Sequence, residues 1–487
     1  MQIGGYVMDK IKNVGPSRFQ YRYLARFIIE AVTPLSVGSG ETDLVTDAPV
    51  ALDVNGLPYI PGTAIAGVIR HQLENQHIDT NAEWGNEDRS LDVSGSNLIF
   101  TEARVVDSQG KVVDGMNLQA SSDDLLQHYQ ALPIRQHVRI TDKGPAADAG
   151  KFDVQVVYAG SRFCFEIEWF AIEQNDQKWN QLLSEFLAPC FRLGSGTRCG
   201  FGEMKVVGHP QTACLDLRDA SQLSLYLSKP SELQLSSSWE GWHDAVIATP
   251  ADVTDWEEYQ LHLSPEDLFL FAAVAGDETG SADTASVKAC KVKWEANGKG
   301  HLESNQVLIP ATSVKGAISH RVAFHYNRLS SVNIEKLNQN SMTVGSGSFA
   351  ELIANHTGSQ NSAVMTLFGS EGMKKGNKQD GQKRGNVILS DLIFDKEGFQ
   401  DKLVNHVTID DFTGAAIEGH LFTEQPVYGK GKSFTMTIRV LKSAIQEENI
   451  RKAFEYTLSD ICEGQLPLGG GVYRGNGLFV GSWNKKE

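Results

Sequence analysis

Two glycine-rich loops, each carrying an arginine, and two matched histidines are the segments of this chain best suited to chemistry. Leu193–Gly202 reads LGSGTRCGFG and Leu468–Gly477 reads LGGGVYRGNG, so Gly194 and Gly196 answer to Gly469 and Gly471. Backbone without a Cβ lets N–H groups come close to a phosphate. Arg198 and Arg474 would add a charge to each cradle. A plain turn is the other reading of such a loop. No Gly-Lys-Ser/Thr follows either segment, so neither is a Walker loop. His137 opens HVRI and His406 opens HVTI. Imidazoles exchange protons near neutral pH, although a histidine hydrogen-bonded at a strand start has the same signature. Six cysteines occur without a C-x-x-C pair, which gives no zinc-ribbon spacing and points to reduced thiols.

These segments recur in order, so the elements that position them recur too. Leu57–Arg70 (LPYIPGTAIAGVIR) and Leu308–Ser319 (LIPATSVKGAIS) each read as strand, Ile-Pro, then helix, with Thr63 and Ser313 where an N-cap is wanted. Ile65, Val68, Ile69 and Leu73 fall on one helical face, as do Val314, Ile318 and Val322. NLIF at 97–100 and NVIL at 386–389 read as short buried strands. The two HV-x-I segments are followed by a Gly/Ala-rich excursion and then by alternating strands, Phe163–Ile167 and Phe434–Ile438. Each copy therefore contains a long hairpin, and the fold class is α+β. The first copy spans 22–208 and the second 257–487. Residues 1–21 form an arm, and 209–256 a linker with some packing.

The composition bounds the partners. The net charge of −16 argues against a broad basic face, so any nucleic-acid contact must be a local groove. Arg18, Arg22 and Arg26 are candidates for RNA or a neighbouring subunit. Gly372–Arg384 (GMKKGNKQDGQKR) is polar and basic and is expected to be disordered without a partner. No 18-residue apolar run or secretory leader is present, which gives the expectation of a cytoplasmic protein without membrane contact.

Pro34–Arg70, with PLSVGSG, then Asp47-Ala48-Pro49-Val50, then YIPGTAIAGVIR, together with the hairpin and the closing glycine loop, resembles the RAMP superfamily. Within it the chain resembles the Cas-seven-type backbone subunit of type III CRISPR effectors, in a tandem fusion like that of the type III-D branch. The resemblance implies two tandem ferredoxin-like (RNA-recognition-motif-like) domains, each with a long thumb hairpin. It implies guide CRISPR RNA, single-stranded target RNA and other effector subunits as partners. The thumb would displace one nucleotide, and the target would be cut there.

The family places its cleavage aspartate just before the Pro-Val step, which is Asp47 here; Asp43 is its competitor in the same loop. Attack by a 2′-OH on the adjacent phosphorus needs an unstacked nucleotide. A carboxylate beside it accepts the proton or holds a divalent ion, with Mg²⁺ the expected one at Asp47. In the second copy Asp283 stands in the equivalent region, with Asp277 as alternative, but the proline is absent and the stretch to Pro310 is longer than that from Asp47 to Pro61. The family pattern also puts Lys, Gly and Arg on the helix after Ile-Pro. The first copy keeps Arg70; the second has Lys315 and, nearby, Arg321. Arg139 and Lys143 add charge to the first thumb. The alternatives are a guide-RNA scaffold that does not cut and a precursor-processing endonuclease using His137.

Overall fold

The computed structural model describes residues 19–40, 47–85, 95–116, 122–141, 144, 146–233, 239–248, 255–272, 282–333, 335, 353, 355–370, 373–375, 378–380 and 383–486. Asp43, Asp277, Lys143 and Arg18 lie outside these residues.

Each copy folds as a four-strand antiparallel core in the order second–third–first–fourth, the ferredoxin-like arrangement. In the first copy β1 (Tyr21–Ala31) leads to α1 (Gly62–Asn75), then β2 (Leu98–Phe100). A thumb hairpin follows, β3 (Ile134–Ile140) and β4 (Ala146–Gln155), before β5 (Arg162–Ala171), α2 (Asp176–Ser184), β6 (Met204–Val206) and β7 (Gln211–Asp216). The sheet runs β2-β5-β1-β7, with β6 also on β1. In the second copy β8 (Trp256–Pro265) leads through β9 (Thr284–Ala285) and a hairpin of β10 (Lys288–Trp294) and β11 (Gly300–Ile309) to α4 (Ala311–Leu329). Then come β12 (Val387–Leu389), the second thumb of β13 (Val404–Ile409) and β14 (Ala416–Gln425), β15 (Phe434–Leu441), α5 (Glu448–Cys462) and β16 (Phe479–Lys486). This sheet runs β12-β15-β8-β16.

Alternation along the central strands builds each core. Tyr23, Ala25, Phe27 and Ile29 of β1 meet Ile65, Ile69 and Leu73 of α1. Tyr259, Leu261 and Leu263 of β8 meet Val314, Ile318 and Val322 of α4. Each large apolar side chain so buried contributes about 1.5–3 kcal/mol. The opposite faces differ. Leu24 of β1 packs with Ala213, Leu215 and Trp239, and Leu225, Tyr226 and Trp242 join them to cover the first sheet's back. The same face of β8 carries Glu258, Gln260 and His262, all partly or fully exposed.

The structure departs from the expectations at several points. Residues 211–216 of the expected linker add a strand to the first sheet, and α3 (Ala220–Leu227) packs behind it. The helices start at Gly62 and Ala311 with proline at the cap position, so Thr63 and Ser313 sit inside the first turn and cap nothing. Within the basic run, Met373–Lys375 and Lys378–Asp380 pair as antiparallel strands, where disorder was expected. Among the described residues no helix is long and apolar enough to cross a membrane.

The extra length of the second copy between Asp283 and Pro310 is the β10–β11 hairpin, and it docks on the first copy. Lys291 bridges Ala159 in parallel register, Val292 N–H donates to Ala159 O at 2.7 Å, and Val292 joins the first copy's core. Trp294 Nε1–H donates to Gly160 O at 2.8 Å, and Arg162 lies 4.2 Å over the Trp294 ring. A Cβ on Gly160 would stand 2.0 Å from Val292 O, so glycine is what lets the two backbones meet.

Candidate functional site

Both thumbs are antiparallel hairpins with a register shift at the same place, between Val138 and Ile140 in one and Val407 and Ile409 in the other. His137 faces Phe152 across the first hairpin, and His406 faces Phe422 across the second. Their rings stack at centroid distances of 4.9 and 4.8 Å. Both histidines lie inside a strand and stack on a ring, which differs from the hydrogen bond at a strand start that the plainer expectation gave them. Burial first, then the neighbouring Arg135, push the His137 pKa down. The phenylalanines were legible only as the partners of a duplicated histidine across a hairpin.

Asp47 and Asp283 sit at matched places beside the returning strand of each thumb. The loop after Asp47 runs parallel to β4, with Ala48 bridging Val154. Asp153 N–H donates to Asp47 Oδ2 at 3.0 Å. Thr284 and Ala285 run parallel to β14 opposite Glu424 and Gln425. There Thr423 N–H donates to Asp283 Oδ2 at 2.8 Å. Both aspartates are exposed, and each keeps carboxylate capacity beyond the one N–H it accepts. The match holds although the loop of the second copy lacks Pro49's counterpart, because the parallel ladder, not the proline, sets the position.

One row of residues crosses each thumb base beside these aspartates, and its chemistry is exchanged between copies. In the first copy it is Arg135, Val154 and Ala48; in the second it is Val404, Glu424 and Thr284. Arg135 Nη2 reaches Asp391 Oδ2 of the second copy in a short ion pair. Asp391 Oδ1 also accepts Ala311 N–H, at the start of α4, at 2.8 Å. Glu424, with its side chain 4% exposed, takes Arg474 from its own glycine loop, Nε at 3.2 Å and Nη2 closer. His406 Nε2 lies 3.0 Å from Glu424 Oε2, at ion-pair distance without hydrogen-bond alignment.

Most of the cations expected on phosphate have partners within the protein. Arg198 Nε donates to Gly385 O of the second copy at 3.1 Å and lies 5.1 Å over the Trp256 ring; burial lowers its pKa to about 10. Lys315 Nζ donates to Arg198 O at 3.1 Å, and burial lowers its pKa as well. Arg321 pairs with Asp460 between α4 and α5. Arg70 pairs with Glu74 at 2.8 Å one turn along α1. Arg26 is buried on Glu166. Arg139 is exposed on the first thumb.

The glycines of the closing loops likewise serve the chain itself. At positive φ, a Cβ on Gly194 would stand 2.3 Å from Ser36 O, and one on Gly469 would stand 2.4 Å from Leu270 O. Gly196 and Gly471 would strike Phe201 and Asn476 in the same way. Each loop therefore closes against the segment that follows the first strand of its own copy.

Among the described residues no group of three or more His, Cys, Asp or Glu side chains gathers to hold a metal ion. The protein offers a hard ion one carboxylate oxygen set at Asp47 and another at Asp283. That fits Mg²⁺, which keeps several waters and shares phosphate oxygens with a substrate.

The sequence matches the RAMP superfamily over residues 28–205 and 297–480. No curated protein matches it. A solved structure described as the type III-B Cmr-beta bound to cognate target RNA is similar, with 16% identity, a TM-score of 0.28 and coverage of 43% of this chain. The present chain spans 66% of that chain's length.

Proposed function

The chain belongs to the RAMP superfamily, and on that premise we propose that it is a double backbone subunit of a type III CRISPR effector. It grips guide RNA and cuts the paired target RNA at nucleotides displaced by its two thumbs. The observation that carries this reading is the repeated placement of an exposed aspartate at the base of each thumb, tied by one backbone N–H to the returning strand. A hairpin that unstacks a ribonucleotide there lets its 2′-OH swing into line with the next phosphorus. Asp47 or Asp283 then accepts the 2′-OH proton as the 2′-oxygen bonds to phosphorus; the P–O5′ bond breaks, leaving a 2′,3′-cyclic phosphate and a 5′-oxygen that takes a proton from water. Mg²⁺ bound there would offset charge building on the phosphate. Ordering the nucleotide in its near-attack shape supplies much of the rate.

The guide's path includes exposed cations on the thumbs such as Arg139. Such contacts position the backbone without reading sequence. Two domains, the first extended beyond the expected limit of 208 to take in β7 and the second near 257–487, a cytoplasmic setting and other effector subunits as neighbours belong to the same proposal.

The test is a matched target carrying a single 2′-deoxy nucleotide at each cut position in turn, incubated with the guide-loaded complex. Cleavage should vanish at the substituted position and persist at the other. Cleavage that survives the substitution excludes 2′-OH attack. A complex that binds the target but cuts nowhere in the unsubstituted strand favours the scaffold reading.

A further inference from the structure

We propose that Asp391, a residue of the second copy, is a positioning residue for the site of the first copy, whereas the second site is positioned from within its own copy. The inference rests on the cleavage reading for its functional consequence and on geometry for its substance. Arg135, Val154 and Ala48 are laterally adjacent across the base of the first thumb. Asp47 precedes Ala48, and its carboxylate is tied to Asp153, which precedes Val154. Whatever fixes Arg135 therefore fixes the strand pair on which Asp47 rests. Arg135 is fixed by Asp391, whose side chain is 2% exposed.

Asp391 is itself rigidly placed. One carboxylate oxygen accepts the first N–H of α4, where the helix's positive end favours a negative charge. Its backbone N–H donates to Gly200 O of the first copy at 3.2 Å, beside the bridge between Gly200 and Ser390. Gly200 leaves the space the carboxylate occupies, since a Cβ there would stand 2.4 Å from Asp391 Oδ1. Arg192 Nη2 closes the contact on Ser390 Oγ at 2.6 Å. A charge-assisted bond in such a dry contact is strong and directional, so the thumb base inherits the second copy's position.

The second thumb needs no such neighbour. Val404 stands where Arg135 stands in the first, and the charge has moved to the returning strand as Glu424. Arg474 satisfies Glu424 from within the same copy, with His406 beside it. Asp391 thus couples one site to the other copy, and the coupling runs one way along the chain.

The experiment compares Asp391→Asn with the unaltered full chain. Asparagine keeps an acceptor for Ala311 N–H and removes the charge that holds Arg135. Two readouts are taken: cutting at each position by the assembled, guide-loaded complex, and hydrogen exchange of residues 134–155 against 404–425 in the full chain. We expect the Asp47-dependent cut to slow by roughly tenfold or more, since small misplacements cost this much, with the Asp283-dependent cut within about twofold. Exchange should quicken in the first hairpin only. Arg135→Gln should reproduce this pattern, and Arg135→Lys, which keeps the charge, should retain most of the first cut. Equal loss at both cuts, equal exchange in both hairpins, or an unchanged first hairpin overturns the proposal. If Asp47→Asn leaves every cut intact, the cleavage reading fails, and the exchange comparison still decides whether Asp391 positions the thumb.

Discussion

The two copies share a chain path and differ in what surrounds it. In the first, Leu225, Tyr226, Trp239 and Trp242 cover the back of the sheet, and the thumb base is anchored on the neighbouring copy. In the second, the back of β8 carries Glu258, Gln260 and His262, and the thumb base is anchored on its own glycine loop. Yet the aspartate, the parallel ladder beside it, the register shift and the stacked histidine are the same in both. Backbone geometry around the site has thus been kept while the side chains that brace it were exchanged. The bracing of the first copy took on a second duty, that of joining the copies.

The comparison breaks most visibly at the junction. Gly160→Ala would drive a Cβ into Val292 O, and its positive φ adds strain. We expect a loss of several kcal/mol, on the order of 3 or more, read as a lowered unfolding midpoint or as separate melting of the copies. Alanine at Gly298, whose added Cβ meets nothing within 4 Å, is the control for positive φ alone and should cost less.

A smaller effect separates bracing from RNA binding. Arg198→Ala removes a partly buried hydrogen bond and a cation–π contact, about 1–3 kcal/mol of stability. It should leave the salt dependence of guide-RNA affinity unchanged. Arg139→Ala should do the reverse, lowering the slope of log K against log salt by about 1. A binding titration between low and moderate salt reads both. The assignment fails if Arg198→Ala flattens the slope.

The smallest expected effect concerns pH. The His137 pKa is lowered in the folded chain by burial and by Arg135, so the neutral ring is favoured there. The unfolded chain then takes up protons first as pH falls through the ordinary histidine range, about 6.5, and stability declines in that window. His137→Phe should keep the stack on Phe152 and reduce the loss of melting temperature between pH 7 and 5. An unchanged pH profile would remove His137 from this account.

Much of the fold was legible because duplication prints the same pattern twice. The Ile-Pro helix, the HV-x-I hairpin and the closing glycine loop each found its counterpart, and the resemblance they carry agrees with the family match. What stayed illegible was the identity of partners in space. Arg198 and Lys315 have the composition of a phosphate grip, but that grip and a buried contact between copies use the same residue types. The glycines of the loops are equally ambiguous, since a carbonyl of the same chain and a phosphate both require an absent Cβ. Asp391 lies in a short connection without periodicity, so only coordinates bring it to Arg135. The β10–β11 hairpin looked like a departure from the family spacing because its partner surface lies in the other copy.

The most direct test is a map of cut positions on a target fully matched to the guide, using complexes that carry Asp47→Asn, Asp283→Asn or both. Each single substitution should silence its own position by roughly 10²-fold or more while the other persists, and the double variant should bind the target and silence both. An unchanged cut pattern in the double variant would contradict the claim that these two thumb-base carboxylates perform the cleavage.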